Sequence, residues 1–281
     1  MMSKESYKMD MCNGPVLQKV IAFSLPLMLS SCLQLLFNAA DVIVVGRFAG
    51  STSLAAVGST TELLSLLTTL FIGFSIGANV NVARTLGNQD DQGTKDGIHT
   101  AVSVSILSGS AMILLGFLFG RPMLQWMGTP ADVIDKASLY LMIIFIGMPS
   151  NMAYNFGSAI LRAMGDTKRP LYFLSVAGVL NVVLNLIFVI VLHMDVAGVA
   201  LATILSETLS AVLILNCLCR TDGPCHLNIR KLYIQKDQLI RMLRIGLPAG
   251  IQSGMFSFSN VLIQSSINSF GSVVMAGSSA S

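Results

Sequence analysis

The sequence predicts an all-α integral membrane protein, a six-helix transmembrane bundle plus a truncated seventh helix, and three observations carry that prediction. Hydrophobic residues make up 53% of the 281-residue chain and charged residues only 11%, whereas a soluble domain carries about a quarter charged residues. Mean hydropathy is +0.73, and several apolar runs reach the roughly 20 residues that a helix needs to cross about 30 Å of hydrocarbon. The basic residues gather in alternate connections between those runs, which is a topology signal.

The first span is expected over Leu17–Val45, interrupted by Pro26, which neighbouring helices tolerate inside a membrane. The next five are expected at Leu54–Ala83, Thr100–Phe119, Ala137–Leu161, Leu171–Leu192 and Val196–Leu218. With six spans, Lys4, Lys8, Lys19, Arg84, Lys95, Arg162, Lys168, Arg169, Arg220, Arg230, Lys231, Lys236, Arg241 and Arg244 fall on one side, against Arg47, Arg121 and Lys136 on the other. The richer side, which includes the N-terminus, is expected to be cytoplasmic. The same distribution accounts for the net charge of +3 without invoking nucleic acid. Residues 1–16 lack the short apolar core and small-residue cleavage site of a signal peptide, so the first span reads as retained.

These features divide the chain into a cytoplasmic tail (1–16), a six-helix lobe (17–219), a polar linker (220–238) and the start of a second lobe (239–281). A shift of 222 residues places Leu17 on Leu239, Lys19 on Arg241, Leu25 and Pro26 on Leu247 and Pro248, Ser31 on Ser253, Asn38 on Asn260 and Phe48 on Phe270. Parallel repeats of helix bundles, related by an axis along the membrane normal, are a transporter signature. The second copy stops within or just after its first helix, so the chain is expected to be a fragment whose second lobe is supplied in cis or in trans.

Ionisable groups inside the bilayer are costly and tend to face a cavity or a partner. Asp41, Asn38 and Gln34 share one face of the first helix. They read either as a polar stripe with Asp41 taking up a proton or Na⁺, or as an outer headgroup contact. Glu207, near the middle of the sixth helix with Thr203 one turn before it and Ser206 and Ser210 nearby, reads equally as a substrate or cation site and as a link across the bundle. Glu62 is expected to reach water near the outer end of its helix. Asn181 and Asn185 lie one turn apart on the fifth helix, and Asn151 and Asn155 repeat that spacing beside Tyr154 on the fourth. Each pair can line a cavity or bond a neighbouring helix. Gly73 and Gly77 read as a helix-packing pattern.

No enzyme is expected. The cysteines Cys12, Cys32, Cys217, Cys219 and Cys225 show neither a disulfide framework nor paired zinc spacing, and a metal site at Cys217, Cys219, Cys225 and His226 is disfavoured. His99, His193 and His226 have no triad partner. Gly165, Asp166, Thr167 and Lys168 lack the leading glycine of a phosphate-binding loop, which disfavours an ATP-driven pump unless a separate subunit supplies the motor and makes ion-gradient coupling the expected energy source.

Several stretches resemble the multidrug and toxic compound extrusion (MATE) family: Phe37–Gly46 (FNAADVIVVG) with Leu54, Ala55 and Ala56; Leu161–Pro170 (LRAMGDTKRP); Ile72–Gly87; Gly198–Glu207; and Ile245–Gly250 (IGLPAG). The resemblance implies two six-helix lobes around a cavity open alternately to either side, with H⁺ or Na⁺ entering as an organic cation leaves. It assigns cation coupling to Asp41 with Asn38, Asn181 and Asn185, the last standing where some members carry Asp. Gln34, Asn151, Tyr154, Asn155, Thr203 and Glu207 are then expected to line the cavity. Ile263 occupies the second copy's equivalent of Asp41, confining coupling to the first lobe. The expected function is secondary active efflux of drugs, organic cations or metabolites against H⁺ or Na⁺. No cofactor is expected beyond that ion, and the expected setting is a plasma membrane of the bacterial inner-membrane kind. The alternatives are a lipid-linked saccharide flippase of the same superfamily, which would line its cavity with cations, and an inactive or partner-dependent fragment.

Overall fold

The structure is a computed structural model that describes residues 16–280. Most of the expected N-terminal tail, with Lys4, Lys8 and Cys12, lies outside the described residues. Eight α-helices follow one another: α1 (Val16–Phe48), α2 (Ser51–Gly87), α3 (Asp91–Trp126), α4 (Ile134–Ala163), α5 (Lys168–Asn185, continued by π-helical turns over Leu186–Val191), α6 (Asp195–Cys219), α7 (Lys236–Asn268) and α8 (Ser272–Ala280). The first six are long and apolar enough to cross a membrane. Two short 3₁₀ turns, Gly223–Cys225 and Ile229–Lys231, lie in the linker.

Helix α3 starts nine residues before the expected Thr100 and ends seven after Phe119. Hydropathy sees only the part in hydrocarbon, whereas 36 residues span about 54 Å at 1.5 Å each. Its polar first turns are fixed by Asp90, whose carboxylate accepts the Gly93 N–H at 2.9 Å. At the far end of the chain α7 runs its full 33 residues and α8 begins after it. A left-handed glycine closes both helices, Gly50 (φ 88°) after α1 and Gly271 (φ 90°) after α7, where glycine carries no steric cost; the 222-residue shift itself sets Gly50 on Ser272, so the two turns differ by one residue in register.

Packing forms two apolar layers. At the end opposite the linker, Val45, Leu63, Met112, Leu124, Leu141 and Phe145 belong to one cluster. At the linker end Ala78, Val82, Ile98, Phe156, Ile160, Ile214 and Leu218 form a second. Large apolar side chains such as Leu114, Leu118, Ile146 and Val212 point outward, as expected where lipid replaces water.

Glycine sets the closest helix approach. A Cβ on Gly73 would meet Gly250 Cα at 2.4 Å, and one on Gly77 would meet the Met242 carbonyl oxygen at 2.1 Å. Helices α2 and α7 thus touch backbone to backbone, the close approach that small residues allow in membranes. At the opposite end Lys136 bonds Asp195 at 2.6 Å and Ser53 Oγ at 2.8 Å, tying together the starts of α2, α4 and α6.

The linker is held on α3. His99 Nδ1 donates to the Lys95 carbonyl (2.8 Å) and Nε2 accepts the Asn228 N–H (3.2 Å). The Tyr233 ring stacks on His99 with centroids 5.2 Å apart and its hydroxyl donates to Asp96 at 2.5 Å. Burial, aided by the Asp96 hydrogen bond and charge, pushes the Tyr233 phenol up to about 12.

Candidate functional site

Between the two apolar layers lies a polar cavity walled by α1, α2, α4, α5 and α6, with adjoining chambers of about 570 and 500 Å³. Gln34, Asn38 and Asp41 line both chambers, so the polar face of α1 turns inward. From α4 come Asn151 and Asn155, and from α6 Thr203 and Glu207. Tyr154 and Asn181 line the larger chamber, and Tyr140 the smaller. Asn185 is fully buried behind that surface.

The two carboxylates are each held by an amide. Asn185 Nδ2 donates to Asp41 Oδ1 and approaches Asn181 Oδ1 at 3.1 Å, while Asn181 Nδ2 donates to Thr203 Oγ1 at 3.4 Å. Asn185 sits where the α-helical part of α5 passes into its π-helical turns, and such turns are frequent at functional sites. Across the cavity, Asn151 Nδ2 donates to Glu207 Oε1 (2.7 Å), and Asn155 Nδ2 reaches Asn151 Oδ1 (3.0 Å). Tyr154 turns its hydroxyl toward the Pro170 carbonyl at 3.3 Å.

Phe37 brings α1 to α5. Its ring lies where a Cβ on Gly178 would be, 1.8 Å from that ideal position, so only glycine lets the ring sit on α5. One turn along α1 from Phe37, Asp41 then meets Asn185.

Among the described residues no lysine or arginine lines either chamber, so the cavity offers two carboxylates, carboxamides and hydroxyls. Sequence reading overlooked Thr61, Ser65 and Thr68, which bring α2 to the wall. Their spacing of four and three residues is the same one-face signal as that of Gln34, Asn38 and Asp41. Glu62 faces away from this cavity into a different one.

The motif at Leu161–Pro170 lies apart from the cavity and does structural work. Asp166, 1% exposed, accepts the Arg169 N–H at 3.1 Å and pairs with its guanidinium at 3.1 Å. Arg169 Nη1 in turn reaches Cys217 Sγ at 3.2 Å. No group of three or more metal-ligating side chains occurs among the described residues.

The family model for MatE matches residues 26–187, more than half of the chain and four of the five helices around the cavity. The chain belongs to the MATE family. It is 32% identical over 272 residues to the probable multidrug resistance protein YpnP of Bacillus subtilis (strain 168), a match covering 95% of this chain and 60% of that protein. It is 22% identical over 263 residues to the multidrug export protein MepA of Staphylococcus aureus (strain bovine RF122 / ET3-1), covering 94% and 58%. The fold superposes on the inward-facing conformation of a multidrug resistance MATE family transporter of the MOP superfamily with a TM-score of 0.81 and 25% identity, covering 93% of this chain and 60% of that one. The outward-facing conformation gives a TM-score of 0.80 with 26% identity, covering 86% and 54%. This MATE chain therefore spans about 60% of the length of the relatives it matches, and it is a multi-pass membrane protein.

Proposed function

We propose that the chain forms the substrate- and ion-binding lobe of a secondary active exporter that moves organic cations outward against H⁺ or Na⁺. One observation carries the reading: among the described residues the cavity is lined by two carboxylates and no lysine or arginine. Such a surface favours positive charge in a low-dielectric setting. It also speaks against a lipid-linked saccharide flippase, which needs cations to hold pyrophosphate. The names of the Bacillus and Staphylococcus relatives, which concern multidrug resistance and export, agree with it.

Asp41 is the coupling group in this reading. Its carboxylate, the Asn181 and Asn38 amide oxygens and Thr203 Oγ1 are hard oxygen donors of the kind that suit a proton or an alkali cation. Asn185 orients Asp41 from the buried side, while Glu207, with Asn151, Asn155, Tyr154 and Gln34, forms the part of the wall that meets the substrate. Ion binding at Asp41 drives release only by binding one conformation better than the other.

A second six-helix lobe, in cis or in trans, completes the cavity. Gln34 and Asn38 are exposed although they line it, and polar side chains at membrane depth require protein or water rather than lipid against them. Residues 220–238 act as the linker between lobes, and the basic linker end faces the cytoplasm of a bacterial inner membrane. The test is export of a fluorescent organic cation from cells expressing the chain with its second lobe. Asp41→Asn abolishes ion-driven export on this reading, and undiminished export by that variant sinks it.

A further inference from the structure

We infer that residues 229–236 of the linker form a surface that docks on anionic phospholipid headgroups, with Arg230, Lys231 and Lys236 meeting the lipid phosphates. The inward side of this segment is fixed by four side chains of α3. Asp96 accepts the Tyr233 hydroxyl, and the Tyr233 ring stacks on His99. Thr100 Oγ1 accepts the Gln235 N–H at 3.0 Å, and Ser103 Oγ donates to the Tyr233 carbonyl at 3.2 Å. Positions 96, 99, 100 and 103 share one helix face, so the segment lies along that face of α3.

The same face continues along α3 through Leu107, Leu114 and Leu118, which are 57%, 64% and 66% exposed. Such a stripe, on a helix long and apolar enough to cross a membrane, faces lipid. The linker therefore crosses it at the end where hydrocarbon gives way to headgroups. Depth has a second marker. The apolar run of α3 begins at Thr100, within the clasp, and that of α7 begins at Leu239, three residues past Lys236.

Arg230, Lys231 and Lys236 are exposed on the segment, and among the described residues none of the three is ion-paired. Arg241 and Arg244 follow in α7, so residues 229–245 carry five cations against one acid, Asp237. Ile229 and Ile234, flanking the Arg230 and Lys231 pair, are 50% and 42% exposed. Apolar side chains interleaved with Lys and Arg suit the boundary between acyl chains and headgroups, where the carbon bodies leave water and the charges meet phosphate. A basic cluster beside a membrane-crossing helix draws anionic lipid, each cation being worth about fivefold in affinity. About a hundredfold therefore rests on Arg230, Lys231 and Lys236 together.

This inference goes beyond the transport reading and holds whether or not the main cavity exports a cation. The purified chain is placed in nanodiscs of phosphatidylcholine alone or of phosphatidylcholine with phosphatidylglycerol, and amide hydrogen exchange of the linker is followed by mass spectrometry. Exchange across residues 229–236 is expected to be about tenfold slower or more in the anionic discs. The difference is expected to shrink in about 1 M salt, where the screening length falls to about 3 Å. It is expected to vanish in the triple variant Arg230→Gln/Lys231→Gln/Lys236→Gln, which leaves the contacts with α3 in place. Circular dichroism melts verify that the variant is folded, and the salt dependence of the wild type decides if it is not. Inorganic phosphate added to the phosphatidylcholine discs is expected to leave exchange unchanged; slowing by phosphate alone would mark a free-anion site and overturn the membrane assignment. Equal exchange in the two kinds of disc overturns the inference, as does slowing that persists in the folded triple variant or in high salt.

Discussion

Replacing Gly77 by alanine is expected to drive α2 and α7 apart. The added Cβ would stand 2.1 Å from the Met242 carbonyl oxygen, 2.9 Å from Gly246 N and 3.0 Å from Met242 C. All three are backbone atoms, so no side chain can turn away. Ordinary contact begins at 3.4 Å, so α7 must retreat by 3.4 − 2.1 = 1.3 Å along that direction. Overpacking of this kind costs about 1–3 kcal/mol. The same substitution at Gly254 of α7 supplies the opposite sign. A Cβ there meets nothing within 4 Å and the residue keeps ordinary helical φ, so Gly254→Ala is expected to stabilise by about 0.5–1 kcal/mol through helix propensity. Thermal unfolding in detergent, followed by circular dichroism, is expected to lower Tm by several degrees for Gly77→Ala and to raise it slightly for Gly254→Ala. Equal shifts of one sign in both variants would refute the claim that backbone contact governs this interface.

Gly178→Ala is expected to displace the Phe37 ring from α5 and loosen the Asp41–Asn185 contact, lowering export more than stability in a paired transport and melting assay. Asn185→Leu removes the donor shared by Asp41 and Asn181, and leaving such buried groups unsatisfied costs about 1–3 kcal/mol, read as a lower Tm. Lys136→Met releases Asp195 and Ser53 and is expected to cost about 1 kcal/mol after allowance for partial exposure. Arg121→Met breaks a pair 51% and 78% exposed and is expected to cost about 0–0.5 kcal/mol. The Tyr233 hydroxyl bond to Asp96 is fully present below pH 10.0, the phenol's ordinary value, because the raised group stays protonated there. It is lost as pH climbs toward about 12, so proteolysis of the linker is expected to be flat from pH 7 to 9 and to rise above pH 10.

What could be read beforehand follows from how each signal arises. Amides and a carboxylate at helical spacing in an apolar run stand out because their cost in lipid is high, so Gln34, Asn38 and Asp41, and Asn151 with Asn155, were visible as faces. Thr61 and Thr68 were not, because a threonine in a membrane helix satisfies itself. Thr61 Oγ1 donates to the Val57 carbonyl at 2.9 Å and Thr68 Oγ1 to the Leu64 carbonyl at 2.7 Å, so their spacing carries no distinctive cost. Gly73 and Gly77 signalled a close contact, yet their partner, α7 through Gly246 and Gly250, lies far along the chain. The π-helical turns after Asn185 have no compositional mark in a run of Leu, Ile, Phe and Val. Glu62 was placed by depth alone, whereas its surroundings depend on α7 and α8 folding back over α2.

The most direct test of the central claim is competition between an organic cation and the coupling ion for the purified chain. Binding of a fluorescent organic cation is titrated in detergent at rising Na⁺ and at falling pH, with Asp41→Asn beside the wild type. The account predicts that one of the two ions raises the apparent Kd of the wild type and that this dependence disappears in Asp41→Asn. Binding insensitive to both ions, or a dependence that survives intact in Asp41→Asn, would contradict it.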